Sequence, residues 1–159
     1  MVPSIAILAL VALAALIFTN RRNASGESTI ERAAASRALV LATAAQSIHF
    51  VEEWMTGFHI QFPALFGQDP MPLPFFVAFN LAWIAIWIVS VPLVRSGVKP
   101  AVFAAWFLAL AGMLNGIAHP LLAVLAGSYF PGLISSPIIG VASLYLWRRL
   151  HRAFLTDTR

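Results

Sequence analysis

No cysteine occurs among the 159 residues. Disulfides, a thiol nucleophile and a thiolate metal site are thereby excluded. Charge is scarce too: 10% of residues are Asp, Glu, Lys or Arg, against 60% apolar ones, and the mean hydropathy is +0.86. A soluble domain needs a charged surface, so this balance predicts an integral membrane protein. The connections between apolar stretches are too short to hold a second domain. One all-helical unit over residues 1–159 is expected.

Five transmembrane helices are predicted, at about 4–20, 37–57, 75–95, 101–125 and 133–150. The first ends at Asn20-Arg21-Arg22, with its positive charge after the apolar run, which reads as a span and not as a cleaved signal. Asn23 to Glu31 reads as a polar connector. In the second span Ala38, Ala42 and Ala45 allow close helix approach. Gly57 to Pro74 reads as a proline-rich loop, with Phe58, Phe62, Leu65 and Phe66 dipping into the lipid surface. The fourth span carries Gly112-x-x-x-Gly116 for tight packing, and Pro120, which should kink it. Ser136-Pro137 suits a cap and first helical position for the fifth, after which Arg148 to Arg152 form a basic tail on anionic lipid.

Positive charge is missing from two places. All ten Lys and Arg residues (21, 22, 32, 37, 95, 99, 148, 149, 152 and 159) follow spans one, three and five, and none follows two or four. That places the N-terminus outside and the C-terminus in the cytoplasm, as expected of a bacterial plasma membrane protein. The basic balance is then an orientation signal, and nucleic-acid binding is excluded.

Within this oil lies Gln46-Ser-Ile-His49-Phe-Val-Glu52-Glu53-Trp54-Met-Thr56. At 100° per residue, Gln46, His49, Glu52, Glu53 and Thr56 share an arc of about 120°. Ionisable residues at that depth mark a functional site by default. With every cation at the other rim, the two carboxylates must be protonated, paired with a histidine, bound to a cation or wetted. Counted along the spans, Glu52 and Glu53 lie about 22 Å and Asn115 about 21 Å from the cytoplasmic ends, and Asn80 about 8 Å below the outer surface. His119 lies nearer that surface. A shared interior cavity, opening outward or sideways, is predicted.

His49-x-x-Glu52-Glu53, followed by Asn115-x-x-x-His119, resembles the small multi-span bacterial proteins named for their HXXEE motif. That resemblance implies the site residues without implying a reaction. A looser resemblance is to the sterol isomerases of the emopamil-binding type, through His49-x-x-x-Glu53 and Asn80-x-x-Trp83. Those proteins use His, Glu, Asn and Trp around a lipid carbocation.

The expected function is an intramembrane enzyme acting on a lipid or isoprenoid-like substrate by acid–base isomerisation, cyclisation or hydrolysis. His49, Glu52, Glu53, Asn115 and His119 are the expected catalytic residues, and Gln46, Asn80 and Trp83 the substrate-binding ones. Metal assistance would draw on His49, Glu52, Glu53 and His119 for zinc or iron, with Asn115 orienting His119. A non-enzymatic subunit binding pigment, haem or lipid is the alternative, and homo-oligomer or larger membrane complex stays open. Plainer roles attach to Trp54 and Trp147 as interfacial anchors, His59 as a solvated side chain, His151 as part of the basic tail, and Ser135 and Ser136 as a helix cap.

Overall fold

The computed structural model describes residues 2–21 and 29–155, with side chains from residue 6 onward in the first helix. Arg22, Arg159 and most of the expected connector lie outside the described residues. The described chain is entirely helical: α1 (Val2–Asn20), α2 (Thr29–Thr56), α3 (Phe58–Ala64), α4 (Leu73–Arg95), α5 (Lys99–Ala126) and α6 (Ser136–Phe154). α2, α4, α5 and α6 close a ring in which α2 packs on α4 and α6, and α5 completes the circuit; α1 docks on α5.

Small residues set the helix spacing. Ala35, Ala38 and Ala42 of α2 are fully buried. A methyl group on Gly116 would stand 2.8 Å from the Gly140 Cα, and one on Gly112 would run into Ser143. The Gly112/Gly116 pair therefore brings α5 against α6 at backbone distance. Trp87 of α4 donates its indole N–H to the Ala104 carbonyl of α5 at 3.0 Å, tying those helices across the core.

Three features differ from the sequence expectation, whereas α5 matches the expected span of about 101–125 to within two residues. α2 begins at Thr29, so the end of the expected connector is already helical. Its start is secured where Glu31 meets Arg149 of α6 at 3.9 Å. The proline-rich loop contains α3, in which Pro63 falls in the last turn. α5 runs through Pro120 to Ala126. α6 continues to Phe154, so the basic tail is helical, with buried Leu150 and Phe154 anchoring it.

The bundle is apolar outside. Leu10, Leu41, Ile88, Val89, Ile117, Val124 and Val141 are all more than half exposed, whereas His49, Glu53 and His119 are buried. α4 and α5 are long and apolar enough to cross a membrane. Every described Lys and Arg lies near one end of the ring, where α1, α4 and α6 finish and α2 and α5 begin. The opposite end carries α3 and the 127–135 segment.

Candidate functional site

His49 and Glu53 stand four residues apart on α2, so one helical face presents both inward. His119 reaches them from α5. Its Nε2 lies 3.4 Å from Glu53 Oε1, and His49 Nε2 lies 3.5 Å from the same oxygen. The two imidazoles meet edge to face, centroids 4.6 Å apart. One carboxylate oxygen thus sits between two imidazole nitrogens, beneath the cap formed by α3 and residues 127–135.

The far side of each ring is anchored. His119 Nδ1 donates to the Pro131 carbonyl at 2.6 Å; a carbonyl only accepts, so the proton is on Nδ1. His49 Nδ1 bonds the Ser135 hydroxyl at 2.8 Å. The backbone N–H of the same serine donates to Glu52 Oε2 at 2.7 Å, which fixes Ser135 beside the ring. The ring nitrogen that each histidine turns toward Glu53 is therefore Nε2. Phe58 covers the arrangement, its ring 5.6 Å from His119 and 6.0 Å from Phe130.

Glu52 does different work. Its carboxylate accepts from the Tyr129 hydroxyl at 2.6 Å, Ile134 N–H at 3.0 Å and Ser135 N–H at 2.7 Å. Those donors belong to the segment that supplies the Pro131 carbonyl and the Ser135 hydroxyl. Glu52 fastens that segment to α2 and so positions both histidines indirectly. Partial burial and the bond to Glu52 hold the Tyr129 phenol above its ordinary range.

Several sequence expectations need correction. Among the described residues, the atoms that converge within 4.8 Å belong to His49, Glu53 and His119, and Glu52 is not one of them. Consecutive residues on a helix diverge by 100°, which sends Glu52 to the cap and Glu53 to the interior. The Pro131 carbonyl, and not Asn115, orients His119. Ser135 occupies the cap position of α6 without a side-chain cap bond, and its hydroxyl is engaged by His49 Nδ1 instead. His59 is half buried, with its Nδ1 covered and its ring stacked on Phe76. Phe58 and Phe62 face inward while Leu65 and Phe66 are exposed. Along α2 itself, at ~1.5 Å per residue, Glu53 is about 36 Å from the first residue and about 5 Å from the last.

Gln46, Glu53, Asn80, Trp83, Asn115 and His119 do line one cavity of about 280 Å³. Glu53 and His119 close its polar end. Asn80 spends one amide donor on the Phe76 carbonyl of its own helix at 2.9 Å. The remaining wall is aromatic and aliphatic, with Phe76, Trp87 and Phe107 opposite Ile7, Leu8 and Val11 of α1. Ile7, Phe75 and Phe79, more than a third exposed, mark a mouth between α1 and α4.

Tyr129, Pro131 and Gly132 were not foreseen as site residues. Their signal was a Tyr-Phe-Pro-Gly run in a short connection, which is indistinguishable from ordinary turn chemistry. Residues 40–146, more than half of the chain, match the family model described as "Protein of unknown function with HXXEE motif". No curated protein and no solved structure matches.

Proposed function

The chain belongs to the HXXEE-motif family, a description without an activity, and from the geometry we propose an intramembrane enzyme that performs acid–base chemistry on a lipid or isoprenoid-like substrate. The observation that carries this reading is a largely apolar cavity whose lining includes the ionisable pair Glu53 and His119. An apolar molecule entering between α1 and α4 would meet a carboxylate and an imidazole 3.4 Å apart. Such a pair can remove a proton at one atom and return it at another. His49, one layer behind, holds its Nε2 3.5 Å from the same Glu53 oxygen, and Asn80, Asn115 and Gln46 offer hydrogen bonds to a polar group on the substrate.

We place the protein in a bacterial plasma membrane as five spans, formed by α1, α2, α4, α5 and α6. The apolar exterior, buried polar centre and confinement of described cations to one end all support that arrangement. The C-terminus is then cytoplasmic and the cavity's polar end lies toward the other side.

A pigment- or haem-binding subunit accounts for less. The histidine rings are in direct contact, so no porphyrin plane fits between them. A passive apolar pocket would also gain nothing from a buried carboxylate.

The test is deuterium exchange. Purified protein in nanodiscs, incubated in deuterium oxide with a total lipid extract of its host membrane, should label or convert one lipid class, read by mass spectrometry. Glu53→Gln should abolish this and keep the wild-type elution profile. Equal labelling by both proteins would reject the proposal.

A further inference from the structure

We infer that His49, Glu53 and His119 together bind one tetrahedral divalent transition-metal ion, zinc by preference, whose fourth position faces the apolar cavity. The inference rests on the same three residues as the proposed acid–base centre; with an ion bound, their ligating atoms are taken up by it and the ion supplies a Lewis acid in their place.

The distances carry the argument first. A charge-assisted N–H···O bond closes to about 2.7–2.9 Å, yet both Nε2···Oε1 separations are longer, at 3.5 and 3.4 Å. His49 Nε2 is fully buried and has no hydrogen-bond partner. With metal–ligand bonds of about 2.1 Å, a tetrahedral ion requires ligand atoms about 3.4 Å apart, whereas an octahedral one requires about 3.0 Å. The two edges that run from Glu53 Oε1 match the tetrahedral case. The three ligand atoms lie within 4.8 Å of one another, so one ion at about 2.1 Å from each would draw the two histidine nitrogens closer together as it binds.

Protonation carries it further. An imidazole binds metal through a lone pair, and its other nitrogen is ordinarily held by an acceptor that fixes the tautomer. His119 meets that condition through the Pro131 carbonyl, and His49 Nδ1 is held by the Ser135 hydroxyl, whose residue Glu52 fixes through its backbone N–H. Two imidazole nitrogens and a carboxylate oxygen form a borderline donor set suited to zinc. Glu53 and His119 also line the cavity, so an ion between them would be open on that side. Three protein ligands plus one open position is the arrangement of catalytic zinc sites. The ion would polarise an oxygen of whatever occupies the cavity.

The test reads occupancy, not turnover. Wild-type protein in detergent, loaded with zinc chloride and desalted, should retain close to one equivalent by elemental mass spectrometry. Cobalt loading should give the intense visible bands of tetrahedral coordination, a readout needing no variant. His49→Ala, His119→Ala and Glu53→Gln should lose the metal, and Asn115→Ala should keep it. Ser135→Ala, which removes an anchor and no ligand, should weaken affinity by about 10- to 100-fold. Wild-type protein that retains neither metal, or ligand variants that retain as much as wild type, would overturn the inference. Metal-free protein that still labels lipid would leave the acid–base proposal standing without it, and loaded protein inert toward lipid would do the reverse.

Discussion

Gly132 has φ +87°, and a methyl group there would stand 2.6 Å from Cε1 and Nδ1 of His119 and 2.8 Å from Cε1 of His49. Ordinary carbon contacts begin near 3.4 Å, so Gly132→Ala obliges the two rings to retreat by about 0.6–0.8 Å. They cannot retreat freely, because each is tied through Nδ1 to the segment that carries residue 132. Two costs follow. A non-glycine residue in the left-handed region loses about 1–2 kcal/mol, and overpacking a tight site about 1–3 kcal/mol more. Gly127→Ala is the internal control, with φ +65° and nothing within 4 Å of the added methyl, so it bears the backbone cost alone. Unfolding in detergent, followed by tryptophan fluorescence, should place Gly132→Ala about 2–5 kcal/mol below wild type and Gly127→Ala about 1–2 kcal/mol below. Zinc retention should fall in the first and persist in the second. If the two variants are equally stable and retain equal metal, the packing of this segment on the histidines is refuted.

Other perturbations test separate contacts. Glu52→Gln should destabilise by about 2 kcal/mol, the low end for charge-assisted bonds because Tyr129 and Ile134 are exposed; chemical unfolding checks this, and loss of affinity for zinc should accompany it. Gly116→Ala should force α5 from α6 and cost about 1–3 kcal/mol, visible as a lower melting temperature with the metal site retained. Tyr129 stabilises only while protonated, and its folded value is raised. Its contribution is therefore complete below the ordinary value of 10.0 and fades as pH climbs through the raised one. Ultraviolet titration in a Tyr145→Phe background should show the phenolate forming later than in a free phenol, and earlier again once Glu52→Gln is added.

The helices were legible because α4 and α5 are continuous apolar runs bounded by proline and glycine. α2 was harder, since Thr29 to Ser36 is polar enough to pass for a connector and is helical through its packing and the Glu31–Arg149 contact. The pairing of His49 with Glu53 followed from spacing alone, because residues four apart share a face. Spacing alone kept Glu52 on the same arc of about 120°, so neither its turn to the cap nor its partners there could be read from the motif. Tyr129, Ile134 and Ser135 are 77 to 83 residues away in sequence. No local pattern reports on a partner brought in by tertiary packing. The HXXEE motif thus combines a histidine and a carboxylate that meet with a second carboxylate that holds the cap above them.

The convergence of His49 and His119 on Glu53 can be observed in the imidazoles themselves. Solid-state nitrogen NMR of histidine-labelled protein in lipid, before and after zinc, resolves which ring nitrogen carries a proton and which binds metal. Two of the four histidines should show Nδ1–H with Nε2 shifted by zinc, and His49→Asn and His119→Asn should each remove one of those signals. Four histidines that all ignore zinc, or a zinc response confined to His59 and His151, would contradict the account.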